Sequence, residues 1–179
     1  MFKLKLVYLP LICFSLLALN LQCKKSNEGN SDELNTSPQE SQAITTKDFA
    51  QINYPEYALS DLAEAKTKNW LKFQNLGTHI DHLKKGDIYF FKEDKTILKA
   101  FITDLKKEVP TSINTSSIIV RLSVIETTAY KLEEVSNIRS ISKQSLLESI
   151  SDVLIAYNNL IFQINKKVEK DSQNIEKPL

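Results

Sequence analysis

Residues 143–170, KQSLLESISDVLIAYNNLIFQINKKVEK, decide the fold. Leu146, Ile150, Val153, Tyr157, Leu160 and Ile164 recur at alternating steps of four and three, and Leu147, Leu154, Ile161 and Val168 run beside them at steps of seven. Two adjacent apolar lines make a face wider than a coiled-coil seam, the pattern of a core helix in a bundle. At 1.5 Å per residue this helix extends ~40 Å, so its partners must be long too. Ser142 or Ser145, the latter with Glu148 three residues on, supplies its N-terminal cap.

Three further helical patterns lie upstream. One runs from about Thr115 to Ser136 on Ile118, Leu122, Ile125, Ala129 and Leu132, capped by Asn114 or Thr115. Before it, Ile97, Leu98, Phe101, Ile102, Leu105 and Val109 form a stripe, with Asp87 or Asp94 as its cap and Pro110 as its stop. Phe90 and Phe91 belong to its first turn or to an apolar plug over one bundle end. Earlier still, Leu59, Leu62, Phe73, Leu76, Ile80 and Leu83 share one heptad register, with Lys66 and Asn69 in the polar gaps and Trp70 beside the seam. This register predicts one helix from about Glu56 to Lys84, closed by Gly86. Gly77 inside it costs roughly 1 kcal/mol against alanine, so a break there is the alternative. No alternating strand pattern competes. The expected fold is all-α, an antiparallel up-down bundle of about four helices over residues 49–172, with a flexible tail at 173–179.

The N-terminus has the form of an address label. Lys3 and Lys5 precede an apolar stretch, Leu6 to Leu21, interrupted by Pro10. That stretch is short against the ~20 apolar residues of a membrane-spanning helix, so residues 1–22 are expected to be a removed secretory signal. Cys23 stands where a bacterial lipoprotein signal places its acylated cysteine, although Asn20, Leu21 and Gln22 replace the small residues usual there. Cys13 would leave with the signal, making Cys23 the sole cysteine of the mature chain. A free exported thiol is unusual, and acylation accounts for it. Residues 24–48 are mostly Ser, Asn, Gln and charged side chains around Pro38. They carry too little apolar surface to order themselves and make a flexible tether. The segment after Cys23 resembles the leaders of Bacteroidota-type lipoproteins, which implies an outer-membrane, lipid-anchored protein on the periplasmic or surface side.

Composition excludes several classes of function. The chain has only three glycines, Gly29, Gly77 and Gly86, where phosphate-cradling loops need several close together. Without residues 1–22 the charge is 21 basic against 22 acidic residues, a balance with no nucleic-acid footprint.

Residues 70–170 also resemble a family of exported helical proteins of Bacteroidota. The likeness rests on Lys84-Lys85-Gly86-Asp87 leading into Phe90-Phe91-Lys92, on Leu105-Lys106-Lys107, on Ala156-Tyr157-Asn158-Asn159-Leu160 and on Gln163-Ile164-Asn165-Lys166-Lys167. It implies a helical architecture in the envelope and carries no catalytic residue across.

Candidate sites are few. His79 and His82 lie three apart on a helix with Asp81 between them, a spacing that can offer two imidazoles to one metal. Neither has a glutamate three residues before it, as bundle-core dimetal sites require, so solvated histidines and no metal or other cofactor are expected. Glu133-Glu134 suits an ordinary solvated face, and no serine sits in a Gly-x-Ser-x-Gly elbow; the chain is not expected to be an enzyme. Ile155 and Phe162, seven apart and off the seam, make Val153–Phe162 nearly apolar all round except for Asn158 and Asn159. Either the helix is central and touches several neighbours, or Ile155 and Phe162 form a groove for a protein partner or lipid. The sequence thus points to a binding or structural module held to the membrane by the lipid on Cys23. The alternative is a small-ligand or metal binder at the end near His79, His82, Phe90 and Phe91.

Overall fold

The computed structural model describes residues 44–173. The expected signal, Cys23, the tether up to residue 43 and the tail beyond 173 lie outside the described residues. Those residues are all-α, with no strand among them. They form α1 (Thr46–Phe49), α2 (Asp61–Thr67), α3 (Leu71–Lys84), α4 (Tyr89–Lys92), α5 (Lys95–Lys107), α6 (Ser116–Ser136) and α7 (Lys143–Ser172).

The pair α6 and α7 is the frame on which the rest is laid. Thr115 caps α6 by accepting the Ile118 N–H, and Ser142 caps α7 by accepting the Ser145 N–H at 3.1 Å, satisfying donors that a helix start leaves without partners. The chain reverses between Asn137 and Ser142, so the two helices run antiparallel, and Lys131 reaches across to Asp152 at 2.7 Å. Ile118, Leu122, Ile125, Ala129 and Leu132 of α6 and Leu146, Ile150, Val153, Leu160 and Ile164 of α7 are all buried in one core. Each such leucine or isoleucine contributes roughly 1.5–3 kcal/mol by leaving water. Tyr157, in the same row, is only half-buried.

The expected single helix from Glu56 to Lys84 is broken, and not at glycine. α2 ends at Thr67 and α3 starts at Leu71, while α3 runs unbroken through Gly77. The interruption holds neither Gly nor Pro, so its cause is tertiary. Trp70 occupies the N-cap position of α3, is fully buried, stacks on Phe73 at 4.9 Å and donates Nε1–H to the Leu105 carbonyl at 3.0 Å. Seating the indole and pairing its N–H outweighs the few backbone bonds that a continuous helix would add. The break also turns α2 about its axis. Ala63 and Thr67 are buried, whereas Leu62 is 58% exposed, so the heptad register fails at Leu62.

Gly77 has a different use. A Cβ there would lie 3.2 Å from the Tyr157 hydroxyl, so glycine lets α7 bring that tyrosine against α3. Gly86 does close α3 as expected. It has φ +90°, its N–H bonds to the Leu83 carbonyl at 2.9 Å, and the Asp87 N–H bonds to that of His82 at 3.0 Å. This is the paired pattern of a Schellman end, which needs a left-handed residue.

Asp94 rather than Asp87 caps α5, accepting the Thr96 N–H at 2.7 Å. Leu98, Phe101, Ile102 and Leu105 point inward, but Ile97 is 51% exposed. The helix stops at Lys107, ahead of Pro110, and a further turn from Pro110 buries Ile113. Phe90 and Phe91 do not form the first turn of α5. They make the one-turn α4, with Phe91 wholly in the core.

Candidate functional site

Residues 52–60 adopt no helix and run along α7 in its own direction. Just before them, Asp48 bonds Lys143 at 2.8 Å. The Tyr57 N–H donates to Asn158 Oδ1 at 2.9 Å. One helical heptad later, Asn165 accepts the Ser60 N–H at 2.9 Å and donates Nδ2–H to the Ala58 carbonyl at 2.8 Å. Residues 48, 57 and 60 thus meet residues 143, 158 and 165 in order. The ammonium of Lys143, then the hydroxyl and amide of Thr45, hold the Asp48 carboxyl down to about 2.

Both asparagines are fully used. Asn158 is buried at 1% exposure, and its other amide atom donates to the Leu154 carbonyl at 2.9 Å. A buried amide without partners would cost on the order of 1–3 kcal/mol, so this one is tied to the chain lying over it. Beside the asparagines is the Ile155–Phe162 line. Ile155 is half-buried, and Phe162 is 39% exposed, with the Tyr57 ring 5.1 Å away and the Lys166 ammonium 5.8 Å from its own ring. Residues 57–60 therefore sit against this side of α7. Sequence reasoning missed Asn158 and Asn165, treating the first as an interruption of an apolar helix. A signal was present: Gln144, Ser151, Asn158, Asn165 and Ser172 form a hydrogen-bonding row at steps of seven.

The second cluster lies where α3 meets α4. The His79 ring lies flat on Phe90 at 3.6 Å and 5°, and meets Phe101 edge-on at 5.6 Å. Burial, then the neighbouring His82, hold the His79 imidazole below its ordinary range. His82 Nδ1 is 3.1 Å from Asp87 Oδ2, and the other Asp87 oxygen accepts the Tyr89 N–H at 3.0 Å. His79, His82, Asp87, Tyr89 and Phe90, with Glu93, border an open cavity of about 340 Å³. Phe91 does not line it. Among the described residues no group of three or more His, Cys, Asp or Glu side chains could hold a metal ion. The cavity's walls are the stacked His79 and Phe90 rings, with the His82–Asp87 pair at the edge.

Cys23 lies outside the described residues. No described helix is long and apolar enough to cross a membrane. No protein-family model, curated protein or solved structure matches the chain.

Proposed function

We propose that the chain is a lipid-anchored, non-enzymatic helical module of the cell envelope that binds a protein partner or serves as a structural element. The observation that carries the reading is Cys23 at the junction between the apolar stretch ending at Leu21 and the polar run that begins at Lys24. Basic Lys3 and Lys5 ahead of the apolar stretch fit a signal that is removed. The resemblance of the leader to Bacteroidota-type lipoproteins favours the outer membrane. In this reading α3, α5, α6 and α7 are the four long members of an antiparallel up-down bundle, and residues 24–43 are its tether. A span of roughly 25 Å for a flexible leader of that length carries the bundle past the headgroups. One acyl chain binds a membrane only reversibly, and the several chains of a lipoprotein supply firm anchoring.

The test is fractionation of cells expressing the parent chain or Cys23→Ser. The parent should sediment with membranes and stay there in high salt, while the variant should become soluble or persist as an uncleaved precursor. Equal, salt-resistant sedimentation of a processed variant would defeat the reading. A second reading, a small-ligand site beside His79 and Phe90, is favoured by the aromatic-walled cavity there. A thermal-shift survey of small aromatic and cationic compounds tests it, because a ligand of the native state raises the melting temperature.

A further inference from the structure

We propose that residues 52–60 are a releasable internal ligand, and that the groove they occupy on α7 binds an extended polypeptide segment in polyproline II conformation, running parallel to the helix. The inference deepens the binding half of the function proposed above and is independent of its membrane half.

Register comes first. Asn158 and Asn165 are seven residues apart on one helix, or ~10.5 Å along its axis. The strap groups they grip, the N–H of Tyr57 and of Ser60, are three residues apart. In a polyproline II chain every third residue returns to the same side after ~9.3 Å. A strand would present these two amides to opposite sides. Ser60, with φ −72° and ψ 156°, has polyproline II geometry, and Pro55 suits it. Each helical heptad therefore meets one turn of the extended chain.

The second argument is what the groove reads. All three asparagine bonds to the strap go to main-chain N–H or C=O groups, so they demand a backbone shape and not the strap's own sequence. Side-chain selection falls to Phe162, on which Tyr57 rests at 5.1 Å. An incoming segment should carry an aromatic residue three positions before its second gripped N–H.

Third, the rest of the strap's hold is partial. Ile52, Tyr54 and Leu59 pack against the core and Glu56 pairs with Lys84, but none of residues 52–60 is fully buried, so release of the strap removes less apolar contact than global unfolding. Its first part rides over a gap of about 240 Å³ between Gln51, Ile52 and Asn53 and the α7 residues Gln144, Leu147 and Ser151. The row of hydrogen-bonding side chains continues beneath that gap, where a longer ligand would find further partners.

Ser60→Pro in the full-length chain is the discriminating variant. Its φ already suits proline, yet the N–H that Asn165 accepts is lost. Ser60→Ala is the control, because it removes the same cap hydroxyl and keeps the N–H. The probe is a fluorescent peptide of residues 52–62. We expect it to bind Ser60→Pro at least ~10-fold more tightly than the parent or Ser60→Ala, because an occupied site lowers apparent affinity in proportion to its occupancy. Adding Asn165→Ala should abolish that gain, as should Ser60→Pro within the peptide. No binding to a folded Ser60→Pro chain, or binding indifferent to Asn165→Ala, overturns the proposal. Should Ser60→Pro not fold, hydrogen exchange of the parent decides. The Tyr57 and Ser60 amides should exchange at least ~100-fold faster than those of Leu160 and Ile161, and equal protection would show that the strap never leaves alone. Failure of these tests leaves the acylation of Cys23, measured separately, untouched.

Discussion

Leu154→Ala and Leu62→Ala form a matched pair that probes the broken first helix. Heptad spacing puts both leucines in a core, but Leu154 is 1% exposed and Leu62 58%. Truncating a buried leucine removes its transfer free energy and leaves a cavity, about 2–5 kcal/mol together. An exposed leucine in no special contact changes stability by no more than ~0.5 kcal/mol. With an m-value near 2 kcal/mol/M in urea, the midpoint should fall by ~1–2.5 M for Leu154→Ala and by less than ~0.3 M for Leu62→Ala. Urea titration followed by far-UV circular dichroism measures both. Ala63→Leu sharpens the contrast, since Ala63 is fully buried and overpacking costs about 1–3 kcal/mol. A Leu62→Ala loss above ~2 kcal/mol with a harmless Ala63→Leu would refute the break at residues 68–70 and restore the continuous helix.

Gly77→Ala should be close to neutral, because roughly 1 kcal/mol of helix propensity is opposed by the new methyl 3.2 Å from the Tyr157 hydroxyl. Combined with Tyr157→Phe, it should recover most of that gain against Tyr157→Phe alone, in the same urea titration. Asp48 has a folded pKa of about 2, below its unfolded value of ~3.9. Its contribution is therefore complete above about pH 4 and is lost as pH falls toward 2. Asp48→Asn should flatten that part of the stability–pH curve, and an unchanged slope would deny the Lys143 pairing. Zinc or iron retained after desalting should be no greater for the parent than for a His79→Ala, His82→Ala double variant, as elemental analysis can show.

The two C-terminal helices were legible because their signals are local and redundant. Thr115 and Ser142 cap where a hydroxyl precedes an apolar repeat, and the repeats of Ile118–Leu132 and Leu146–Ile164 persist over several turns. Gly86 was legible for a similar reason, since only a left-handed residue closes that end. The segment from Ile52 to Trp70 was not. Its apolar residues fit a heptad, and its actual conformation is set by partners about a hundred residues away, Asn158 and Asn165, and by the Leu105 carbonyl under Trp70. Side chains that bond distant main chain leave only a faint periodic mark. The polar row from Gln144 to Ser172 was one, masked by the stronger apolar row beside it. Of the candidate site, Phe162 was found for its apolar character, while the amides that do the gripping were not.

The proposed function stands on the lipid at Cys23, and mass spectrometry of the mature protein's N-terminal peptide reads that lipid out. The peptide should begin at Cys23 and carry thioether-linked diacylglycerol, with a further amide-linked acyl chain where the host adds one. A mature chain that starts at another residue, or one in which Cys23 remains an unmodified thiol, would contradict it.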